Sequence, residues 1–585
     1  MKKIVLMIMS LLAALGLQAA PISGEKALKI ATDFFADGTR TSSAPITLVW
    51  SGNSLSTTVK HSVGAASEGS ALLYIFNRGS NGFVIVAGDD SIPQPIIAYS
   101  KEREFTVSNM APATRAIIDA WGKQIEAARN GDVKAQQMAT SATTDLLYDT
   151  ALWSQGEPYN REAPVLHNER SLTGCVATAM AIIAYHNKWP DKGEGTTPQY
   201  SFSGSNCEEI HTVPANTLGR TYDYNSMLSN YNNGYTETQA NAVAALMKDM
   251  GTSVYMAYHP EASGSTSSVV PIAFAEYFKY SKSSLLITPN GKSVQEWTAM
   301  LQENVATYGP TFFSGVGAAG GHAFVIDGFN KSGYFHINYG WGGANNDYYY
   351  LPNIEFYAEQ TALFYLEPDP NNTSTYRDYI TLSYFLDNDD TEYRGLYTTS
   401  SKIEEGKAIP LYMGAIVNSG ITDFNGHISL AWCDKNGAPK KDLVVFQSPT
   451  LSPRYLIRLT TEVECPSNLA EGDRLRLFYK GQYSNDKWEW MQSSSNNAWS
   501  EIILKASPEE IASSLELTYS KSDKTVSLSA LMALQITVTN ADGAQVAYTE
   551  TPMSKFTIID VSEFDGEYTF SIASGGEPYN LVLQF

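Results

Sequence analysis

The apolar positions of this chain change rhythm several times, and each change predicts a different element. Ile4 to Leu17 is an unbroken apolar run behind Lys2 and Lys3. It is too short to span a bilayer, which takes about 20 residues. With Ala19 and Ala20 behind it, the run has the pattern of a secretory signal, with cleavage expected after Ala19. Glu25 to Phe35 spaces its apolar residues as a helix does. Leu72–Phe76 and Gly82–Ala87 predict strands, closed by the turn Gly88-Asp89-Asp90. Pro112 to Arg129 is helical again, with Ile117, Ile118, Trp121, Ile125 and Ala128 on one face. Pro112 suits the first turn, where its missing N–H costs no bond. Gln136–Thr144 is small, polar and aperiodic, an expected exposed linker.

From Cys175 to His186 the chain is apolar nearly all round, which predicts a buried helix with the cysteine in its first turn. Beyond Pro368 short alternating runs take over, such as Ile428–Trp432, Arg474–Tyr479 and Lys487–Met491, and predict an all-β sandwich to about residue 505. Leu515 to Phe585 alternates in the same way, with turns at Asp542-Gly543 and Asp565-Gly566, and predicts a second, smaller sandwich. The expected order is a signal at 1–19, an α+β unit at 20–145, a central unit at 146–367, and β modules at 368–505 and 506–585. No stretch after the signal reaches the ~18 apolar residues of a transmembrane helix.

Composition narrows the function classes. The chain has 585 residues, 61 Asp+Glu against 40 Lys+Arg, and a net charge of −21. That balance, without a basic cluster, argues against nucleic acid as a partner. A hydrophobic share of 43% and a charged share of 17% argue against disorder. Four cysteines without paired Cys/His spacing make neither a disulfide scaffold nor a zinc motif, so no metal and no cofactor are expected. Cys433 and Cys465 fall in one module and could pair, while Cys207, in a polar loop, reads as a free thiol. The run Asp387-Asn388-Asp389-Asp390-Thr391-Glu392 offers oxygen ligands for calcium but lacks their regular spacing, and reads as a solvated turn.

The chemistry gathers in the central unit. A free thiol has a pKa near ~8.5, and a helix N-terminus with a nearby imidazolium lowers it by several units. On the helix alone, a small core hydrophobe is the better reading of Cys175, and what lies downstream shifts the weight. His322 follows Cys175 by 147 positions, at the mouth of a predicted strand behind Gly320-Gly321. Asn338 follows on a second strand, joined to the first by the turn Asn330–Gly333. A thiolate nucleophile, an imidazole acid/base and an amide that fixes the ring are the groups such acyl transfer uses, and cysteine proteases of papain type carry them in this order. Trp341 could shield the His322–Asn338 bond from water. Gln155 lies 20 positions before Cys175, and with the Cys175 N–H could supply two oxyanion donors. His336 is a competing base, but its apolar neighbours Phe335 and Ile337 favour a core histidine. His186 is three turns along the helix, more than ~15 Å away at about 1.5 Å per residue. His61, His167, His211, His259 and His427 have no chemical context and read as surface or structural residues.

The segments from Trp153 (WSQGEPYN), Gly174 (GCVATAMA), Gly320 (GGHAFVIDG) and His336 (HINYGWGG) strongly resemble the streptopain family of papain-like cysteine peptidases. The resemblance covers about residues 22 to 365. Gly82–Asp90 and Pro93–Tyr99 look like that family's inhibitory prodomain. The resemblance implies a papain-like α+β peptidase domain at 146–367 behind an α+β prodomain at 20–145, with the two β modules outside the family core. It implies Cys175 as nucleophile, His322 as general base and acid, Asn338 as ring orienter and Gln155 as oxyanion donor. Trp341 matches a tryptophan of the family's aromatic-glycine turn. One departure is Tyr339, where the family usually has Trp. The family favours a bulky apolar side chain two residues before the scissile bond.

The reading is a secreted or exported bacterial cysteine endopeptidase made as a zymogen and acting on proteins or peptides. Its own prodomain is the intramolecular inhibitor, it is expected to be a monomer, and the activating cut is expected between Lys134 and Leu147. Two alternatives stand beside it. One is a Cys-His acyltransferase that delivers the acyl group to an amine, as transglutaminase-like enzymes do, although those usually orient the histidine with Asp. The other is an adhesin or binding protein whose protease domain is a relict, which the intact Gln155, Cys175, His322 and Asn338 set disfavours.

Overall fold

The computed structural model describes residues 21–585 except 37–43, 53–70, 81, 91, 93–94, 101–103, 108–117, 119–120, 123–124, 127–128, 130–143, 204–208, 318–319, 388–391, 496–497, 521–522, 554 and 556. The expected signal peptide, most of the linker, Cys207 and the centre of the acidic turn lie outside the described residues. Among the described residues no helix is long and apolar enough to cross a membrane. The chain divides into two compact units: 1–154, 294–310 and 315–358 in the first, and 155–293, 311–314 and 359–585 in the second.

The first unit is built on an antiparallel sheet. Ile46–Gly52, Leu73–Arg78, Phe83–Ala87 and Ile96–Ser100 pair in succession. The last three are buried along nearly their whole length, as their unbroken apolar character predicts. Helix Gly24–Ala36 packs on them through Ala27, Ala31 and Phe35, the apolar stripe read from its spacing. Of the second predicted helix, Ile118, Trp121, Gly122, Ile125, Glu126 and Arg129 are helical, and Ile118, Trp121 and Ile125 are buried. Arg129 ties back to the predicted turn, donating to Asp89 Oδ2 at 2.7 Å and to the Gly88 carbonyl at 3.1 Å.

The sheet does not end at Ile96–Ser100. That strand pairs antiparallel with Asp347–Tyr349, through Tyr99 opposite Tyr348 and Ala98 opposite Tyr349. Asp347–Tyr349 pairs with Phe335–Asn338, which pairs in turn with Gly320–Phe329, the strand that carries His322. Tyr334 and Tyr350 join the same apolar core as Tyr74, Val84 and Ile96. Leu146–Leu147 adds a short strand on Gly320–Phe329.

In the second unit the expected buried helix is Cys175–Asn187, with every side chain from Val176 to Ala184 buried. It packs against Glu237–Ser253, which opens on a capping box made by Thr236 and Gln239. Two sheets follow around one core. One is built on the long strand Ala408–Asn418, paired with Ile380–Leu382, Leu396–Tyr397 and Leu456–Glu464. The other centres on Gly426–Cys433 and Arg474–Gly481. Helix Pro508–Ser514 leads to a smaller pair of sheets with its own core, made of Val526, Leu528, Ile536, Val538, Phe570 and Ile572 among others. The architecture is that expected: α+β through the amino-terminal and central parts, with β modules at the carboxyl end.

Cys433 and Cys465 do not pair; both carry free thiols. Cys465 points into the main sandwich core with Leu469 and Val463. Cys433 belongs to a separate cluster with Ala431, Phe478 and Trp490. Ala431 and Cys433 alternate with the core residues Ile428 and Leu430 along the strand, so the two thiols serve different faces.

Candidate active site

The five residues singled out in the sequence divide between the units: Gln155 and Cys175 in the second, His322, Asn338 and Trp341 in the first. Cys175 is the first residue of its helix and is partly exposed, although the helix behind it is buried. The preceding Gly174 has φ 85°, in the left-handed region that glycine adopts without strain. A Cβ there would also lie 2.4 Å from Met256 Sδ, so both backbone and packing require glycine at the entry to this helix. Gly174 brings no capping side chain to the first-turn N–H groups, whose dipole favours a thiolate over a thiol. The main-chain carbonyl of Gln155 accepts from the Thr173 N–H at 3.0 Å, which fixes Gln155 beside the segment leading into Cys175.

His322 is 8% exposed. Its Nε2 lies 2.9 Å from the Tyr339 carbonyl oxygen, which only accepts. Nε2 therefore carries the proton and Nδ1 the lone pair, the state a general base needs. Trp341 stacks on the ring at 4.8 Å between centroids, and Phe356 lies 5.0 Å away. This aromatic cage takes the imidazole out of water and lowers its pKa to about 4, against a smaller upward pull from the Tyr339 carbonyl.

Asn338 is fully buried, but its side chain is not on the imidazole. Its Nδ2 donates to Thr150 Oγ1 and to the Ala151 carbonyl, each at 2.9 Å, and its Oδ1 accepts from Gly340 N–H at 3.1 Å. The amide ties the Tyr339–Gly340 peptide to Thr150 and Ala151, so its hold on His322 passes through the main chain. Trp341 covers the ring itself rather than a His322–Asn338 bond. Thr150 in turn donates to Asp327 Oδ2, and Asp327 Oδ1 accepts from His336 Nδ1 at 2.5 Å. His336 is thus held by a carboxylate and by Tyr348, 5.1 Å between ring centroids, rather than by its apolar neighbours.

Asp327 and Thr150 were not singled out in the sequence. A lone carboxylate within the apolar strand Ala323–Phe329 is the signal that marks Asp327. It sits where the register with Phe335–Asn338 shifts, and such bulges re-aim side chains. Thr150 has no comparable mark; only the fold brings it to Asn338. His167 and His211, read as lacking context, lie beside Glu209, a grouping their separation in the chain conceals.

Each unit thus carries one part of what a cysteine peptidase needs: the second a cysteine leading a buried helix, the first a caged imidazole of fixed tautomer whose own sheet is extended by four further strands. Residues 153–349 match the family model described as Peptidase C10 family, and residues 19–125 match that described as Spi protease inhibitor. Streptopain of Streptococcus pyogenes is 32% identical over 312 residues, spanning 50% of this chain and 76% of streptopain. The chain belongs to the peptidase C10 family. The thiol protease/hemagglutinin PrtT of Porphyromonas gingivalis is 32% identical over 352 residues, 57% of this chain but only 39% of that protein. Among solved structures, a prointerpain A fragment of Prevotella intermedia is 27% identical, covers 51% of this chain and 96% of that fragment, and has a TM-score of 0.44.

Proposed function

We propose that the protein is an exported cysteine endopeptidase, made as a zymogen, that hydrolyses peptide bonds in protein substrates. The observation that carries this reading is the continuity of the sheet from Ile96–Ser100 of the prodomain into Asp347–Tyr349 and the strands of Asn338 and His322. Export rests on the amino-terminal pattern of Lys2, Lys3 and the apolar run behind them. In the mature enzyme the Cys175 thiolate attacks the substrate carbonyl, and the oxyanion is met by the Cys175 N–H and the Gln155 side-chain amide. Protonated His322 gives its proton to the leaving amine as the C–N bond breaks and a thioester forms. Water then attacks the thioester with His322 Nδ1 as base, releasing the acid and the thiol. Burial alone keeps the imidazole neutral, and a neighbouring thiolate raises its pKa, so thiolate and imidazolium form as a coupled pair.

The test is mass spectrometry of casein after incubation with the activated protein. New carboxyl termini, enriched after an apolar residue at the second position before the cut, are expected. Amine-linked acyl products without new termini would instead establish acyl transfer, and unchanged casein would refute both catalytic readings.

A further inference from the structure

On the surface of the second unit, away from Asn338 and His322 in the chain, three side chains converge that the peptidase chemistry does not use. His167 occupies the turn between Val165–Leu166 and Glu169–Arg170, with φ 52°. Glu209 and His211 lie at the start of Ile210–Val213, which pairs with Tyr200–Ser203. Glu209 Oε2 is 3.7 Å from His167 Nε2 and 3.5 Å from His211 Nε2, and the three ligand atoms all lie within 4.8 Å of one another. These separations exceed the ~2.7–3.2 Å of a good N–H···O bond. They approach the spacing across a tetrahedral zinc, where bonds of about 2.0–2.2 Å set neighbouring ligand atoms roughly 3.3 Å apart.

We propose that His167, Glu209 and His211 form a zinc-class site with three protein ligands and a fourth position for water. Two imidazoles and one carboxylate suit zinc and its borderline neighbours rather than calcium or magnesium, which take oxygen ligands. The fold makes the arrangement consequential. The hairpin that carries His167 continues through Ser171, Leu172 and Thr173 into Gly174 and Cys175, and Ser171 N–H bonds back to the Pro164 carbonyl at 3.0 Å. A metal at this point cross-links the turn before the nucleophile helix to a hairpin about 40 residues later in the chain. The folded state holds these ligands together and an unfolded chain does not, so bound metal stabilises the fold. The inference is independent of the proteolytic reading, because its readout is metal binding.

The experiment uses the full-length chain with Cys175→Ala and Cys207→Ser, so that neither thiol competes for metal. Calorimetric titration with Zn²⁺ in a non-chelating buffer at neutral pH should show one ion per chain and a raised thermal midpoint. Co²⁺ should give the visible absorption of a four-coordinate site. His167→Ala, Glu209→Gln and His211→Ala should each weaken binding by at least ~10-fold, the scale at which even outer-shell partners act. Each should also reduce the thermal shift while leaving the metal-free midpoint near that of the parent. His167→Ala changes only an exposed turn side chain and keeps the test meaningful if His211→Ala, beside Phe202, disturbs packing. Absence of binding, or binding that survives all three substitutions, would overturn the proposal.

Discussion

His322 Nε2 donates to the main-chain carbonyl of Tyr339 at 2.9 Å. No substitution of Tyr339 removes that acceptor, so the ring's orientation depends on whatever fixes the Tyr339 and Gly340 peptides. Asn338 holds the Gly340 N–H and is itself anchored on Thr150 and Ala151, while Asn346 Oδ1 accepts from the Tyr339 N–H at 3.1 Å. Asn338→Ala strands a buried carbonyl and a buried N–H, and should lower the stability of the proenzyme by ~2–3 kcal/mol in denaturant melts. Turnover of the activated enzyme should fall with little change in KM. Thr150→Val should reproduce part of this loss and Thr150→Ser should restore it, because only the hydroxyl links Asp327 to Asn338. Unchanged stability in Asn338→Ala would contradict the clamp.

The segment from Asp145 to Ala151, which reaches Asn338 through Thr150 and Ala151, limits where activation can cut. Asp145 Oδ1 accepts from Lys331 N–H at 2.9 Å, Leu146–Leu147 pairs with the His322 strand, and Tyr148 N–H bonds to the Asp327 carbonyl at 2.9 Å. N-terminal sequencing of the active enzyme should therefore find a first residue at or before Asp145, within the earlier part of the window Lys134 to Leu147. An active form beginning beyond Thr150 would refute the role of this segment.

Burial sets a pH dependence. The imidazole of His322 falls from 6.5 to about 4 on folding. Above about pH 6.5 both folded and unfolded states carry it neutral, and it contributes nothing to the slope. As pH falls from 6.5 towards 4, the unfolded chain takes up a proton that the folded one refuses, and stability declines by up to ~3 kcal/mol before levelling off. Chemical denaturation of the Cys175→Ala proenzyme between pH 7 and 4 should show this loss, reduced in the His322→Gln background. Equal slopes in the two would remove the assignment.

Tyr339 carries a further cost. Its ring is buried at 1% exposure, and its hydroxyl has no hydrogen-bond partner among the described residues. Tyr339→Phe removes the unsatisfied group and keeps the ring that stacks on Trp341 at 4.9 Å between centroids. The variant should be more stable by roughly 1 kcal/mol, since an unmade buried bond costs about 1–3 kcal/mol. It should retain peptidase activity. A destabilised variant would show that the hydroxyl has a partner the present contacts do not include.

These cases also mark what a sequence can carry. The place of Cys175 at the head of a buried helix was legible from the apolar run behind Gly174, and that of His322 near the start of its strand from the glycine pair before it. The extended sheets after residue 368 were legible from alternation alone. The acceptor for His322 was not, because a main-chain carbonyl has no residue identity and any residue at 339 supplies it. Nor was the link from Thr150 to Asn338, where a hydroxyl 188 positions away becomes specific only through the fold. Whether Cys433 and Cys465 pair was open in the sequence, because falling in one module says nothing about which face each thiol takes.

The most direct measurement is covalent labelling of the activated protein with an epoxide that alkylates catalytic thiolates, read by peptide mass spectrometry alongside casein hydrolysis. The account predicts stoichiometric modification at Cys175 with complete loss of proteolysis, and neither label nor proteolysis in Cys175→Ala. Proteolysis that persists in Cys175→Ala, or an active wild type that takes up no label at Cys175, would contradict it.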